Sequence, residues 1–154
     1  MLLGFGESPE AIEQMMSDYY RSARMVSRAL DMVLSLVTPV LHRKKPREED
    51  LGRGVWLFDE HITTRDKELL RTDPALALRL VDAAIERGLP LLPHTRDAIA
   101  GACTEPAWCA ELRASPEAAR LFLRLVKTSK ETRLRAGTVV REIYDLGLLL
   151  AMIP

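Results

Sequence analysis

The side chains able to do chemistry in this chain are few and scattered. Histidine, the usual general base and metal ligand, stands at His42, His61 and His94, which read as three different loops or strand ends. Metal ligation needs several His, Cys or carboxylate groups brought together, and no such set is gathered by spacing here. Cys103 and Cys109 are six apart with Pro106 between them. That spacing matches no thiolate clamp, so both read as buried small hydrophobes. No Gly-x-Ser-x-Gly turn or Cys–His arrangement marks a nucleophile. Gly4-Phe5-Gly6 lacks the following Gly-Lys-Ser that would cradle a phosphate. The sequence therefore predicts no catalytic residue and no metal ligand within the chain.

Two polar features invite a closer reading. Asp66-Lys67-Glu68 has the Asp-x-Glu spacing that holds a divalent ion in polymerase-like sites. Those sites also need a Gly-Ser turn upstream, and the chain contains no Gly-Ser dipeptide. Helix capping explains Asp66 better. Arg21, Arg24 and Arg28 fall on one side of a single helix, opposite or flanking its apolar seam. They are either a solvated face or a contact to a phosphate or partner, and Tyr20, four residues before Arg24, would add a stacking surface.

The elements that carry these residues are mostly helical. The chain has 154 residues, among them 25 Leu and 17 Ala, while aromatics make up only 5%. Strong helix formers thus dominate over strand formers, and the length suits one domain with its own core. The fold class predicted is all-α: a helical bundle built on one long N-terminal helix, with at most one short β-hairpin near residues 55–64.

Ser8-Pro9-Glu10 is a helix start, with a capping hydroxyl, a proline at the first helical position and an acid at the positive end of the dipole. Ile12, Met16, Tyr19, Ala23, Val26, Leu30, Val33 and Val37 then step by alternating fours and threes. This seam predicts a helix over 9–37, roughly 44 Å long at about 1.5 Å per residue. Thr38-Pro39 ends or kinks it, and the long-helix region is bounded at 41. Residues 42–54 carry no apolar period and read as a charged, mobile connector. Residues 55–154 hold the hairpin and a bundle. In that bundle a short helix capped by Asp66 runs through Leu70, and another from Asp73-Pro74 stops at Gly88. Others start at Thr95, around Trp108 and at Ser115-Pro116-Glu117, and the last is predicted over Thr132–Leu146. The apolar end, Leu148 to Pro154, is expected to be an excision from something longer.

With 22 basic and 22 acidic side chains the net charge is zero. That argues against a nucleic-acid binder or an acidic-membrane binder, both of which draw affinity from surplus positive charge. The longest apolar runs fall far below the roughly 18–20 residues that span a bilayer, and no basic region precedes an apolar stretch at the N-terminus. A cytoplasmic location is expected.

The segment Met15-Met16-Ser17-Asp18-Tyr19-Tyr20-Arg21-Ser22-Ala23-Arg24 resembles the Tyr-Tyr-Arg-x-Ala-Arg stretch of the bifunctional PII-protein uridylyltransferase/uridylyl-removing enzymes. In those enzymes it opens the central helical region between the nucleotidyltransferase and HD domains. The resemblance continues through Leu69, Pro74 and Leu78-Arg79-Leu80, then Glu117-Ala118 and Leu121-Phe122-Leu123, to Asp145-Leu146-Gly147-Leu148-Leu149 and Ile153-Pro154. It covers roughly residues 12–154, and the order and spacing carry it more than any one motif. The basic stretch at 42–50 departs from the family pattern.

The resemblance implies a non-catalytic support region, a piece of a larger multidomain enzyme. The parent would transfer UMP from UTP to a tyrosine of the PII signalling protein, using Mg²⁺, and hydrolyse that link in its HD domain. No cofactor is expected within this piece. Its partners would be the flanking nucleotidyltransferase and HD domains, with UTP and PII reached through the parent. Tyr20, Arg21 and Arg24 would form one wall of the nucleotide pocket. Two alternatives stand beside this. One is the equivalent helical region of glutamine-synthetase adenylyltransferase or of another, cyclic-nucleotide-regulated nucleotidyltransferase. The other is a free-standing helical interaction module that uses the long seam to bind a partner helix or a second copy.

Overall fold

The structure is a computed structural model that describes residues 9–37, 47–128, 133–134 and 137–153. It divides into two compact units, residues 1–41 and 42–154. The first contains helix α1, Pro9–Val37. Its start at Pro9 and its length agree with the spacing of the seam; Ser8 and residues 38–41 lie outside the described residues. The seam residues Ile12, Met16, Tyr19, Val26, Leu30 and Val33 are exposed, from 39% at Met16 to 64% at Tyr19.

The second unit opens with a three-stranded antiparallel sheet, β1 (Glu48–Gly52), β2 (Val55–Phe58) and β3 (His61–Thr63), in that spatial order. Here the sequence reading is corrected. Residues 48–52 of the expected connector are an edge strand, so the expected hairpin is a three-stranded sheet; residues 42–46, including His42, lie outside the described residues. The reason is that β1 is held by backbone bonds to β2, with Glu48 opposite Phe58 and Asp50 opposite Trp56. An edge strand bearing charges on its open face shows no apolar alternation to read.

Both hairpin turns are two residues long with positive φ at each centre, 54° and 82° at Arg53-Gly54 and 45° and 67° at Asp59-Glu60. This is the mirror-image turn geometry that suits the right-handed twist of paired strands. Asp-Glu is a poor dipeptide for it, and its neighbours hold it in place. The Asp59 amide donates to the Arg47 carbonyl at 2.8 Å, and His61 Nδ1 lies 2.9 Å from the Asp59 carbonyl.

Helices α2 (Leu69–Thr72), α3 (Ala75–Arg87), α4 (Pro93–Ala102), α5 (Pro106–Ala114) and α6 (Pro116–Thr128) follow. A short pairing of β4 (Arg133–Leu134) with β5 (Gly137–Thr138) precedes α7 (Val139–Asp145) and α8 (Leu148–Met152). Proline occupies the first helical position of α4, α5 and α6, where no amide donor is needed. The Ser115 hydroxyl caps α6 by accepting the Ala118 amide at 3.2 Å. α4 starts two residues before the expected Thr95, which is buried and bonds Thr63 Oγ1 at 2.7 Å. The predicted helix from 132 begins only at Val139, after the β4–β5 pairing. Gly137 and the β-branched Thr138, which form β5, weigh against continuous helix.

α3 is the centre of this unit. Leu76, Ala77, Leu78, Leu80 and Val81 are all at most 1% exposed, so the helix is buried on nearly every side rather than along one stripe. It packs against the inner face of the sheet on one side and α6 on another, and α2 adjoins it. The apolar Leu89–Pro93 turn does more than connect. Ile62 donates its amide to the Pro90 carbonyl and accepts the Leu92 amide, both at 2.9 Å. This covers the free edge of β3. Among the described residues, no helix is long and apolar enough to cross a membrane.

Two substitutions test this account. Gly54 has φ +82°, and a Cβ there would lie 3.2 Å from Leu76 Cδ1. Gly54→Ala should therefore destabilise by about 2 kcal/mol in urea unfolding, through backbone strain and crowding of α3. Glu60→Gly should stabilise by about 0.5–1 kcal/mol, because it removes left-handed strain from a side chain at some entropic cost.

Candidate functional site

The residues expected on a nucleotide-pocket wall lie on α1. Tyr20 is 59% exposed, and its ring meets Tyr19 edge-on with centroids 5.6 Å apart. The Arg21 guanidinium lies 4.0 Å from Asp18, a loose surface pair of little energetic worth. Asp18 is also held by the Gln14 amide at 3.2 Å. Arg24 is in the helix, but its side chain, like that of Arg28, lies outside the described residues. The local structure thus places Tyr20 and Arg21 in solvent, one turn from a carboxylate.

Of the described residues weighed for catalysis and metal binding, Asp66, His61, His94 and Cys109 have structural partners. Asp66 Oδ1 accepts the Glu68 amide at 2.9 Å in the turn that leads into α2; the N-cap of that helix is Glu68, without a side-chain cap bond, so Asp66 shapes the turn and does not cap the helix as expected. His94, in the first turn of α4, stands 3.5 Å from Thr63 Oγ1. Desolvation lowers its pKa, the charge of Lys67 lowers it further, and Asp97 opposes both. Cys109 is buried and donates to the Cys103 carbonyl at 3.3 Å. Burial, with Cys109 adding to it, pushes the Cys103 thiol up to about 12. Gly147, φ +83°, passes close enough to Cys103 that a Cβ would lie 3.2 Å from the cysteine's own Cβ. Among the described residues no group of three or more His, Cys, Asp or Glu could hold a metal ion.

A different constellation is built in the second unit, and the sequence reading did not single it out. Glu117, in the first turn of α6, receives Arg53 from the β1–β2 turn at 2.5 Å and Arg79 from α3 at 3.8 Å. Arg79, with an 11% exposed side chain, also pairs with Asp73. Its Nε is buried without a partner among the described residues. One turn further along α3, Asp82 pairs with Arg124 of α6, which lies 3.4 Å from Glu86 as well. Ionised side chains therefore bridge α3 to α6 at two levels and tie the sheet turn to both. The legible signal was Arg79 itself, one cation inside the apolar run Ala75-Leu-Ala-Leu-Arg-Leu-Val81, because a charge in such a run needs a partner.

No known protein family, curated protein or solved structure matches the chain.

The Cys103 environment is open to direct measurement. Only the thiolate alkylates at useful speed. With its pKa raised, Cys103 should react with iodoacetamide at pH 8 at least a hundredfold more slowly in the folded protein than in urea, as followed by mass spectrometry.

Proposed function

We propose that the chain is the helical support region of a nucleotidyltransferase of the PII-uridylyltransferase type, without catalytic residues of its own. The observation that carries this reading is the meeting of segments that share the resemblance. Arg79 of the Leu78-Arg79-Leu80 segment pairs with Glu117 of the Glu117-Ala118 segment, although 38 residues separate them. The Asp145–Leu149 segment is the α7–α8 junction, turned at Gly147 against Cys103. In this reading the long helix α1 is the spine of a bundle shared with the flanking nucleotidyltransferase and HD domains. Tyr20, Arg21 and Arg24 contribute to one wall of the nucleotide pocket, Mg²⁺ belongs to the catalytic domain, and the enzyme works in the cytoplasm on PII.

The test is transfer of labelled UMP to PII protein in the presence of Mg²⁺. The chain alone should transfer none. Added to an isolated nucleotidyltransferase domain of such an enzyme, it should raise the rate. Arg21→Ala should remove most of that gain, since a guanidinium–phosphate contact is worth about 1.5–3 kcal/mol. A catalytic domain indifferent to the chain, or transfer by the chain unaided, would overturn the reading.

The exposed seam of α1 favours a second reading, a helical interaction module. Ile12, Val26, Leu30 and Val33 are each more than half exposed, which is the face a partner helix would cover. A concentration-independent dimer in light scattering would support that module over the enzyme-support role.

A further inference from the structure

A concave site lies where the β1–β2 turn meets α6. A cavity of about 240 Å³ is lined by Arg53, Glu117, Arg120, Leu121 and Arg124, three guanidinium groups against one carboxylate. Two of the three are already positioned: Arg53 by Glu117 at 2.5 Å, and Arg124 by Asp82 and Glu86 of α3. Arg120 differs. Its one polar partner is the Pro116 carbonyl of its own helix, at 3.3 Å, and no carboxylate pairs with it among the described residues. It stands four residues from Arg124 on the same helix, a like-charge spacing that is unfavourable unless an anion bridges the pair. Arg53 also lines an adjoining cavity of about 330 Å³, whose walls include Leu69, Leu76 and Gly54.

We infer that the arginine-lined cavity binds a phosphate group, either as the free ion or as the phosphoryl end of a monoester. Guanidinium forks match phosphate oxygens in pairs, and a tetrahedral dianion offers enough acceptors to engage three forks at once. A planar carboxylate engages one or two, and it carries only half the charge. Glu117 on Arg53, and Asp82 and Glu86 on Arg124, are the internal competitors, which leaves Arg120 as the guanidinium that phosphate meets without one. Beyond Arg53 the adjoining cavity is mixed, with Leu69 and Leu76 beside the paired Asp73 and Arg79, so the body of an ester would meet both apolar and charged walls. This inference does not rest on the proposed enzyme reading: the cavity belongs to the second unit and uses none of the α1 residues.

The experiment titrates the whole chain with inorganic phosphate at constant ionic strength, following the backbone amide resonances of Arg53, Gly54, Arg120 and Leu121. Saturable shifts at these amides are expected. Arg120→Ala, a change at an exposed side chain, should weaken binding at least tenfold. Arg71→Ala, elsewhere on the surface, should leave it unchanged. Phenyl phosphate separates the two sources: tighter binding than phosphate assigns an ester, and equal binding assigns the free ion. No saturable shift at those amides, or an Arg120→Ala protein that binds as well as the parent, would overturn the site.

Discussion

The burial of α3 on almost every side is the constraint on which the second unit depends. A helix with solvent on one face can leave its charges in water, but α3 has little such face. Its Arg79 and Asp82 must find counter-charges, because an unpaired ion in a low-dielectric interior costs several kcal/mol. Arg79 draws on Asp73 just before the helix and on Glu117 of α6, and Asp82 draws on Arg124. These pairs set how α6 lies along α3. The apolar contacts fill the same interface, with Phe122 and Leu125 of α6 buried. Packing and electrostatics therefore specify one arrangement between them.

The small sheet serves the same helix. Val55, Leu57 and Ile62 cover α3 from the sheet's inner face, and Trp56 takes the opposite face beneath the Arg65 guanidinium, 4.8 Å from its ring centre. Its two edges are managed differently. β3 is closed by the Leu91 segment, whereas β1 carries Glu48, Glu49 and Asp50, and charge on an open edge discourages pairing with other chains. The turn that joins β1 to β2 then brings Arg53 to α6. In this way a structural device leaves guanidinium groups gathered around a cavity.

Much of the helical framework was legible. Ser-Pro-Glu at 115–117 and the heptad seam of α1 each act through neighbours within a turn or two, so local chemistry suffices to place them. Gly88 stops α3 for the same reason: its left-handed backbone lets Leu89 bond back to Ala84 at 3.0 Å. β1 and the β4–β5 pairing escaped because strand pairing is a property of two segments, and none of these three strands is apolar enough to announce itself. The Asp59-Glu60 turn is unfavourable on its own and exists because the strands on either side are already paired. The arginine constellation escaped likewise. Arg53, Arg79 and Arg124 are far apart in sequence, and only Arg79 sits in a context that demands a partner.

The amino-acid sequence by itself determined a mostly helical chain, the seam and start of α1, the Ser-Pro-Glu start of α6 and the glycine stop of α3, since each depends on interactions within a few residues. Tertiary structure decided which helix became the core, which charges met and where strand edges closed. Those outcomes depend on distant groups being desolvated together, and no local spacing encodes that energy.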